Sequence, residues 1–362
     1  MKQVLSIGKI TKKTYCPNCF SILSWDSPEI EKNGVLKCPT CGSLMNYSNA
    51  TIDFSNQIEK ENIAIVVNGI AYDENNLEEG LRDIGKHGGE ISMNKDITLT
   101  NTLVIEKDAT INLNNSTLNC GNSTLFINNG KVTINGGEEG KITSQATTAI
   151  EVNDGTLTIN GGDIETTQWG VDVKGAGKII FNNGTITSQE GCITPWNYSS
   201  VIINGGTLAS KDNYVIGTNG RSTETGKTKY ITINGGTLIG RKPVTAGYIS
   251  CGIYSPNAGK VVLNGGKILS EAGCGILMRA GSVECNGILI ETKGNEEGWV
   301  GDSKQKVNCA GIVYDSLSNY PDKKTLKLKI GRNTEIKAEN KKDIELYLAE
   351  GDQANIIDDR RQ

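Results

Sequence analysis

Between residues 135 and 286 the chain repeats an Asn-Gly-Gly punctuation, each copy preceded by alternating apolar residues and followed by another short alternating run. The anchors are Asn135, Asn160, Asn182, Asn204, Asn234, Asn264 and Asn286, in VTINGGEE, LTINGGDI, IIFNNGTI, VIINGGTL, ITINGGTL, VVLNGGKI and VECNGILI, at spacings of 25, 22, 22, 30, 30 and 22. A second marker runs in phase with it: TAIEV, WGVDV, GCITPW, NYVIG, CGIYS, CGILM and AGIVY, carrying Ile150, Val171, Ile193, Val215, Ile253, Ile276 and Ile312. A fixed period of about 22 residues signals a stacked array in which each repeat buries its apolar side only against its neighbours.

One period, residues 149–170, places Ile150 and Val152 inward, then a turn, Leu157 and Ile159 inward, a turn at Asn160, and Ile164 inward. That is three short strands of period two per coil, with Asn, Asp and Gly supplying the positive φ of the corners. A row of asparagines bonded from coil to coil inside the turn accounts for the anchors. Leucine-rich repeats share the period, but the L-x-x-L-x-L frame is missing. Upstream, residues 75–119 hold an amphipathic helix with Leu77, Leu81 and Ile84 on one face, then a Gly-Gly break, then strands. These features together resemble the right-handed parallel β-helix of the pectin-lyase-like superfamily over residues 73–345. The resemblance implies an all-β fold, three strands and about 22 residues per coil, with the helix covering the open end.

A formal charge of −4 and a pI of about 5.4 give no footing for nucleic acid, and no stretch has the length of a membrane span. The start, MKQVLSIGKITKK, breaks its short apolar run with Lys9, so the chain is expected to be made and kept in the cytosol. Ten cysteines fit that compartment. Cys251 and Cys274, each before Gly-Ile in adjacent coils, are expected to stack as free thiols in the core.

Cys16, Cys19, Cys38 and Cys41 form C-x2-C, 18 residues, C-x2-C, the spacing of a four-cysteine zinc site. This segment resembles a zinc ribbon. Four thiolates leave no open coordination position, so the ion is structural, and iron is an alternative that spacing leaves open. The expected organisation is a zinc-ribbon anchoring domain at 1–48, a linker with a connecting strand at 49–72, the capped β-helix at 73–350, and a polar, mobile tail at 351–362.

Other constellations are less specific. The single histidine, His87 in KHGG, lies at the end of the cap helix and not in a strand-rich cleft. Lyases of the resembled superfamily use carboxylate-bound calcium and an arginine base; Glu151, Asp163, Glu165 and Asp172 are the nearest calcium candidates, and no arginine lies in those coils. Insertions at 218–229, 240–250 and 293–308 flank the Gly-Ile strand. On that face the outward residues change from Glu151, Asp172 and Thr194 to Ile216, Tyr254, Leu277 and Val313. Such an apolar stripe asks for a cover: the insertions themselves, neighbouring copies in a homo-oligomer with a trimer favoured, or a glycan. Trp196, Tyr198, Tyr254 and Trp299 are the stacking platforms in the last case.

The combination of a cytosol-made β-helix with an N-terminal anchoring module resembles bacteriophage virion proteins such as head decorations, head fibres and tail spikes. That resemblance implies a non-enzymatic role, docking on other virion proteins through residues 1–72, display of the rod to host or mucosal glycans, and localisation on a virion assembled in the bacterial cytoplasm. The rival expectation is a non-catalytic, calcium-dependent polysaccharide-binding β-helix; a polysaccharide lyase is a third.

Overall fold

The structure, a computed structural model, describes residues 4–6, 16, 18–19, 21, 30–31, 35–46, 60–196, 198–217, 229–241, 250–255, 259–294, 297–299, 306–317 and 325–361. From residue 89 onward the chain winds as a parallel β-helix. Each coil contributes one strand to each of three faces. The first face holds strands such as Ser200–Ile203, Lys229–Ile233 and Gly259–Leu263; the second, Thr207–Ser210, Thr237–Gly240 and Lys267–Ser270; the third, Trp169–Lys174, Cys251–Ser255 and Cys274–Met278. Thr156–Thr166 and Lys178–Ser188 run through the corner between the first two faces, which therefore form one 21-stranded sheet beside a 10-stranded third sheet.

Register explains the core. Val201, Ile231, Val261 and Val283 align on the first face, Leu208, Leu238, Ile268 and Ile290 on the second, and Ile253, Ile276 and Ile312 on the third. All are buried in one continuous cluster. Removing each such aliphatic side chain from water contributes on the order of 1.5–3 kcal/mol, and parallel pairing lets like shapes stack coil upon coil.

The two glycines of each punctuation serve different ends. At Gly235 a Cβ would stand 2.7 Å from the Asn204 carbonyl oxygen one coil below, so only glycine lets the backbones approach. Gly236 takes φ +85°, the left-handed region that turns the chain into the second face. The asparagines do line up vertically. Nδ2 of Asn234 donates to Oδ1 of Asn204 at 2.8 Å, and Asn264 to Asn234 at 2.8 Å; the same bond links all seven anchors and continues from Asn135 to Asn112 at 2.8 Å. The row is external, however, not internal. Each anchor follows an inward residue such as Ile203, Ile233 or Leu263, so strand alternation turns it outward, and Asn204, Asn234 and Asn264 are exposed. Because water competes for these amides, Asn204→Ala, which breaks two ladder bonds, is expected to cost only about 1–2 kcal/mol in equilibrium urea unfolding.

The second marker has its own cause. A Cβ on Gly252 or Gly275 would lie 2.3 and 2.4 Å from Cγ2 of Ile268 and Ile290, so glycine opens the third strand for the β-branched residue of the second face. In one coil the sequence register was off by one: Ile216, not Val215, pairs with Ile193 and Ile253. The Asn213-Tyr214 turn delays the strand, and Ile216 faces inward in the main core at 0% exposure.

Both ends differ from the expected boundaries. Ile63–Val67 and Ile70–Asp73 form a hairpin that pairs antiparallel with Gly89–Met93, and all five residues of Ile63–Val67 are buried, so this part of the expected linker belongs to the cap. The helix Leu77–His87 packs beside it through Leu81 and Ile84; the near approach of Gly85 to the Val104 carbonyl leaves no room for a side chain. At the other end, Gln353–Asp358 is a strand on Thr325–Ile330, and Arg360 ties it down by bonding Asp343 at 2.9 Å and Asp358 at 2.8 Å. The expected mobile tail is thus the last strand of the first face. The N-terminal segment forms a separate four-stranded sheet in the order Val4–Ser6, Leu44–Asn46, Val35–Lys37, Ile30–Glu31.

Candidate functional site

The four cysteines come together. Their sulfur atoms all lie within 4.8 Å of one another, with Cys16 to Cys41 at 3.6 Å and Cys19 to Cys38 at 3.5 Å. A tetrahedral ion bonded to sulfur at about 2.3 Å separates its ligand sulfurs by about 3.8 Å, so the cluster can close on such an ion with only small shifts of the sulfurs. It is the one group of metal-ligating side chains that close among the described residues.

Two like turns build it. The Cys16 amide donates to the Ser21 carbonyl at 2.9 Å, and the Cys38 amide to the Ser43 carbonyl at 2.8 Å. Each turn also sets a hydroxyl on its second cysteine: Ser21 Oγ is 3.0 Å from Cys19 Sγ, and Ser43 Oγ is 3.1 Å from Cys41 Sγ. The repeated C-P-x-C-x-S was present in the sequence, yet only the cysteines were singled out. Hydroxyl donors favour thiolates, which are the forms that bind metal. Burial pushes the Cys16 thiol well above the ordinary thiol range and raises Cys19. Burial would raise Cys41 too, but the hydrogen bonds from Ser43 outweigh it and bring Cys41 down to about 6. The chain can therefore hold a metal ion such as zinc.

The second candidate is the outer side of the third sheet. The four proposed calcium ligands do not meet there. Glu151 and Asp172 are register neighbours on the third sheet, whereas Asp163 and Glu165 stand on the second face beside Lys141 and Thr143. Lysines take up most of their charge: Lys174 Nζ is 2.7 Å from Glu151 and 4.0 Å from Asp172, and Lys141 Nζ is 2.7 Å from Glu165. Burial raises the Asp172 carboxyl, and the nearby Lys174 charge moderates the rise. Beside it, Oγ1 of Thr194 and Nε1 of Trp196 are buried without a hydrogen bond of ordinary geometry.

Farther along the rod this side is apolar and filled. Leu277 and Val313 are 3% and 0% exposed, packed in one cluster with Tyr214, Cys251, Cys274, Val307 and Ala310. Val307 comes from the insertion at 293–308, where Lys306–Val307 pairs with Gly298–Trp299, so the chain's own loop supplies part of the cover. The threefold contact expected through Leu277 and Val313 has no free surface there, and Ile216 is on the other side of the sheet. Cys251 and Cys274 are the expected adjacent free thiols, but they sit in this outer cluster and not in the central core.

Of the aromatic platforms, Tyr254 is half-buried and stacks on Tyr214 at 5.7 Å, Trp196 and Tyr198 are half-buried, and the side chain of Trp299 lies outside the described residues. Two members of this side were not foreseen. Tyr214 bridges Trp169, at 5.6 Å between ring centroids, and Tyr254. Arg279, 1% exposed, lies over the Tyr254 ring at 5.7 Å; alternation after Leu277 would have placed it outward. Four coils separate Arg279 from Asp172, about 19 Å along the rod, too far for both to act on one bond.

Compared with known proteins, the chain matches no family model, no curated protein and no solved structure. No helix among the described residues is long and apolar enough to cross a membrane.

Proposed function

We propose that the chain is a structural protein of a bacteriophage particle, a decoration, head fibre or spike of the pectin-lyase-like kind. Its N-terminal unit, folded on zinc held by Cys16, Cys19, Cys38 and Cys41, docks on other virion proteins, and the β-helix forms the displayed rod. The observation that carries this reading is the filling of the third sheet's outer side. The side framed by the longest insertions is occupied by Tyr214, Leu277, Val307 and Val313, and the carboxylates next to them are tied to lysine. Such packing supports a rigid, protease-resistant rod better than a substrate cleft.

The four thiolates suit zinc or iron alike, and the two serine hydroxyls that hydrogen-bond the cysteine sulfurs would support either ion; metal analysis of the purified chain distinguishes them. Co-expressed with the capsid and tail proteins of its own genome, the zinc-loaded chain is expected to sediment with assembled particles and the Cys38→Ser variant to remain in the supernatant. A wild-type chain absent from purified particles would overturn the reading.

A second reading, glycan binding, rests on the half-buried Trp196 and Tyr198 at the polar end of the same side and on the half-buried Tyr254 farther along it. A glycan array probed with and without calcium tests it. Binding abolished by Tyr254→Ala supports it, and an array without hits rejects it.

A further inference from the structure

The two ends of the coil are finished differently. At the N-terminal end the helix Leu77–His87 and the hairpin lie over the first coil, and Ile65, Ile84 and Met93 are 0% exposed. At the other end the three faces stop on Glu335–Ala338, Ile344–Tyr347 and Gln353–Asp358, each paired on one edge only among the described residues. Leu346 continues the inward column of Met278 and Tyr314, and Ile356 that of Val283 and Leu328. Those earlier positions are at most 2% exposed, whereas Leu346 and Ile356 are 38% and 37% exposed, and Leu348 and Ile357 beside them 42% and 56%. Four of the seven exposed large hydrophobic side chains among the described residues thus gather on the last coil.

An edge of three unpaired strands with apolar ends is a template for further pairing. We propose that a second copy of the chain fills it, end to end, about a twofold axis perpendicular to the rod. The N-terminal end has its apolar column covered by the helix and hairpin and offers no matching apolar face, so self-contact through this edge is isologous and closed. A twofold passing through the first face sets Gln353–Asp358 antiparallel to its own copy. That strand carries a single charge, Asp358, at one end, so no like charges meet at its centre. The same rotation exchanges the second and third faces and brings Glu335–Ala338 over the copy's Ile344–Tyr347, across the gap that the rise of the coil leaves there.

With Glu335 over Tyr347, inward Ile336 stands over inward Leu346 and outward Lys337 over outward Glu345. Apolar thus faces apolar, and the long Lys337 and Glu345 side chains bring opposite charges together across the gap. A strand of six residues is about 20 Å long, so the end buries less than the roughly 800 Å² per partner of a standard interface. A dimer of micromolar affinity is the expected result.

Sedimentation velocity of the full-length, zinc-loaded chain from micromolar to several hundred micromolar, with small-angle scattering at the upper end, tests this. The expected particle is a dimer whose longest dimension is close to twice that of the monomer. Ile356→Lys, on the exposed last strand, should weaken it by about tenfold or more while leaving the thermal transition of the rod in place. Lys337→Glu should weaken it as well, and adding Glu345→Lys to Lys337→Glu should restore it, a rescue that a loss of folding would not show. A monomer at every concentration, a trimer, a side-by-side dimer of unchanged length, or a dimer indifferent to Ile356→Lys overturns the proposal.

Discussion

Removal of the metal is expected to unfold residues 1–48 and leave the β-helix standing. The N-terminal sheet has strands of only two and three residues, and its two cysteine turns converge on one point. A unit of that size buries too little apolar surface to offset its chain entropy, and zinc bound to such peptides contributes about 10–16 kcal/mol, which is then the folding free energy. Treatment with a strong chelator should erase the amide dispersion of residues 1–48 in NMR spectra and expose the segment to protease. The thermal transition of the rod should move by no more than a degree or two. Cys38→Ser should reproduce this without chelator, because Cys38 is 0% exposed and its thiolate is one of four. A chelated N-terminal segment that kept its dispersed spectrum would show that packing, not metal, holds it.

Phe181→Ala is expected to be the most damaging single substitution in the rod. Phe181 is among the largest fully buried side chains and stands where Ile159 and Ile203 stand in the coils on either side. Truncation leaves a cavity that neighbours bonded in register cannot close, at a cost of about 3–5 kcal/mol. Phe181→Ile, which restores the side chain used above and below it, should recover most of that loss. Guanidinium unfolding of both variants checks the pair. In a solenoid each coil touches only its neighbours, so hydrogen exchange should rise near Phe181 and not at residues 97–120. Equal losses for the two variants would mean that the site rejects any change of shape and not the missing volume.

The stacked architecture was legible because the repeat imposes one answer many times: alternation fixed which side of each strand is inward, and the glycines marked the corners. What alternation could not give was the phase after an irregular turn. Asn213-Tyr214 moved Val215 and Ile216 by one place, and with that shift the presumed outward Ile216 became a core residue. Burial by a distant loop was legible only as one of three possible covers, without the residue that makes it. Leu277 and Val313 were recognised as outward, but nothing local states that Val307, thirty residues downstream of Leu277, comes back to cover them. The polar tail misled for another reason. QANIID has few strong strand formers, and its place is set by the ladder offered by Thr325–Ile330 and by the Arg360 clasp.

In the candidate site, the cysteines were legible from spacing alone, whereas the contacts that the repeated serines and the outward Arg279 make needed three dimensions. The proposed calcium ligands failed as a group because nearness in sequence spans a corner. Glu151 and Glu165 are fourteen residues apart and belong to different faces.

The row of asparagines has a direction. Every side-chain amide from Asn286 back to Asn112 gives its hydrogen toward the N-terminal end, and each from Asn264 back receives at its oxygen from the other side, so eight small dipoles add head to tail along one edge of the rod. Aligned bonds of this kind polarise one another, much as peptide groups do in an α-helix. The positive pole falls at Asn112, and there the line terminates on a carboxylate, Glu90, whose Oε1 accepts from Asn112 Nδ2 at 2.8 Å. Polarity of this kind tells the molecule's two ends apart electrically as well as by shape. A coil inserted without its asparagine would split the line into two shorter dipoles, only one of them closed by an anion.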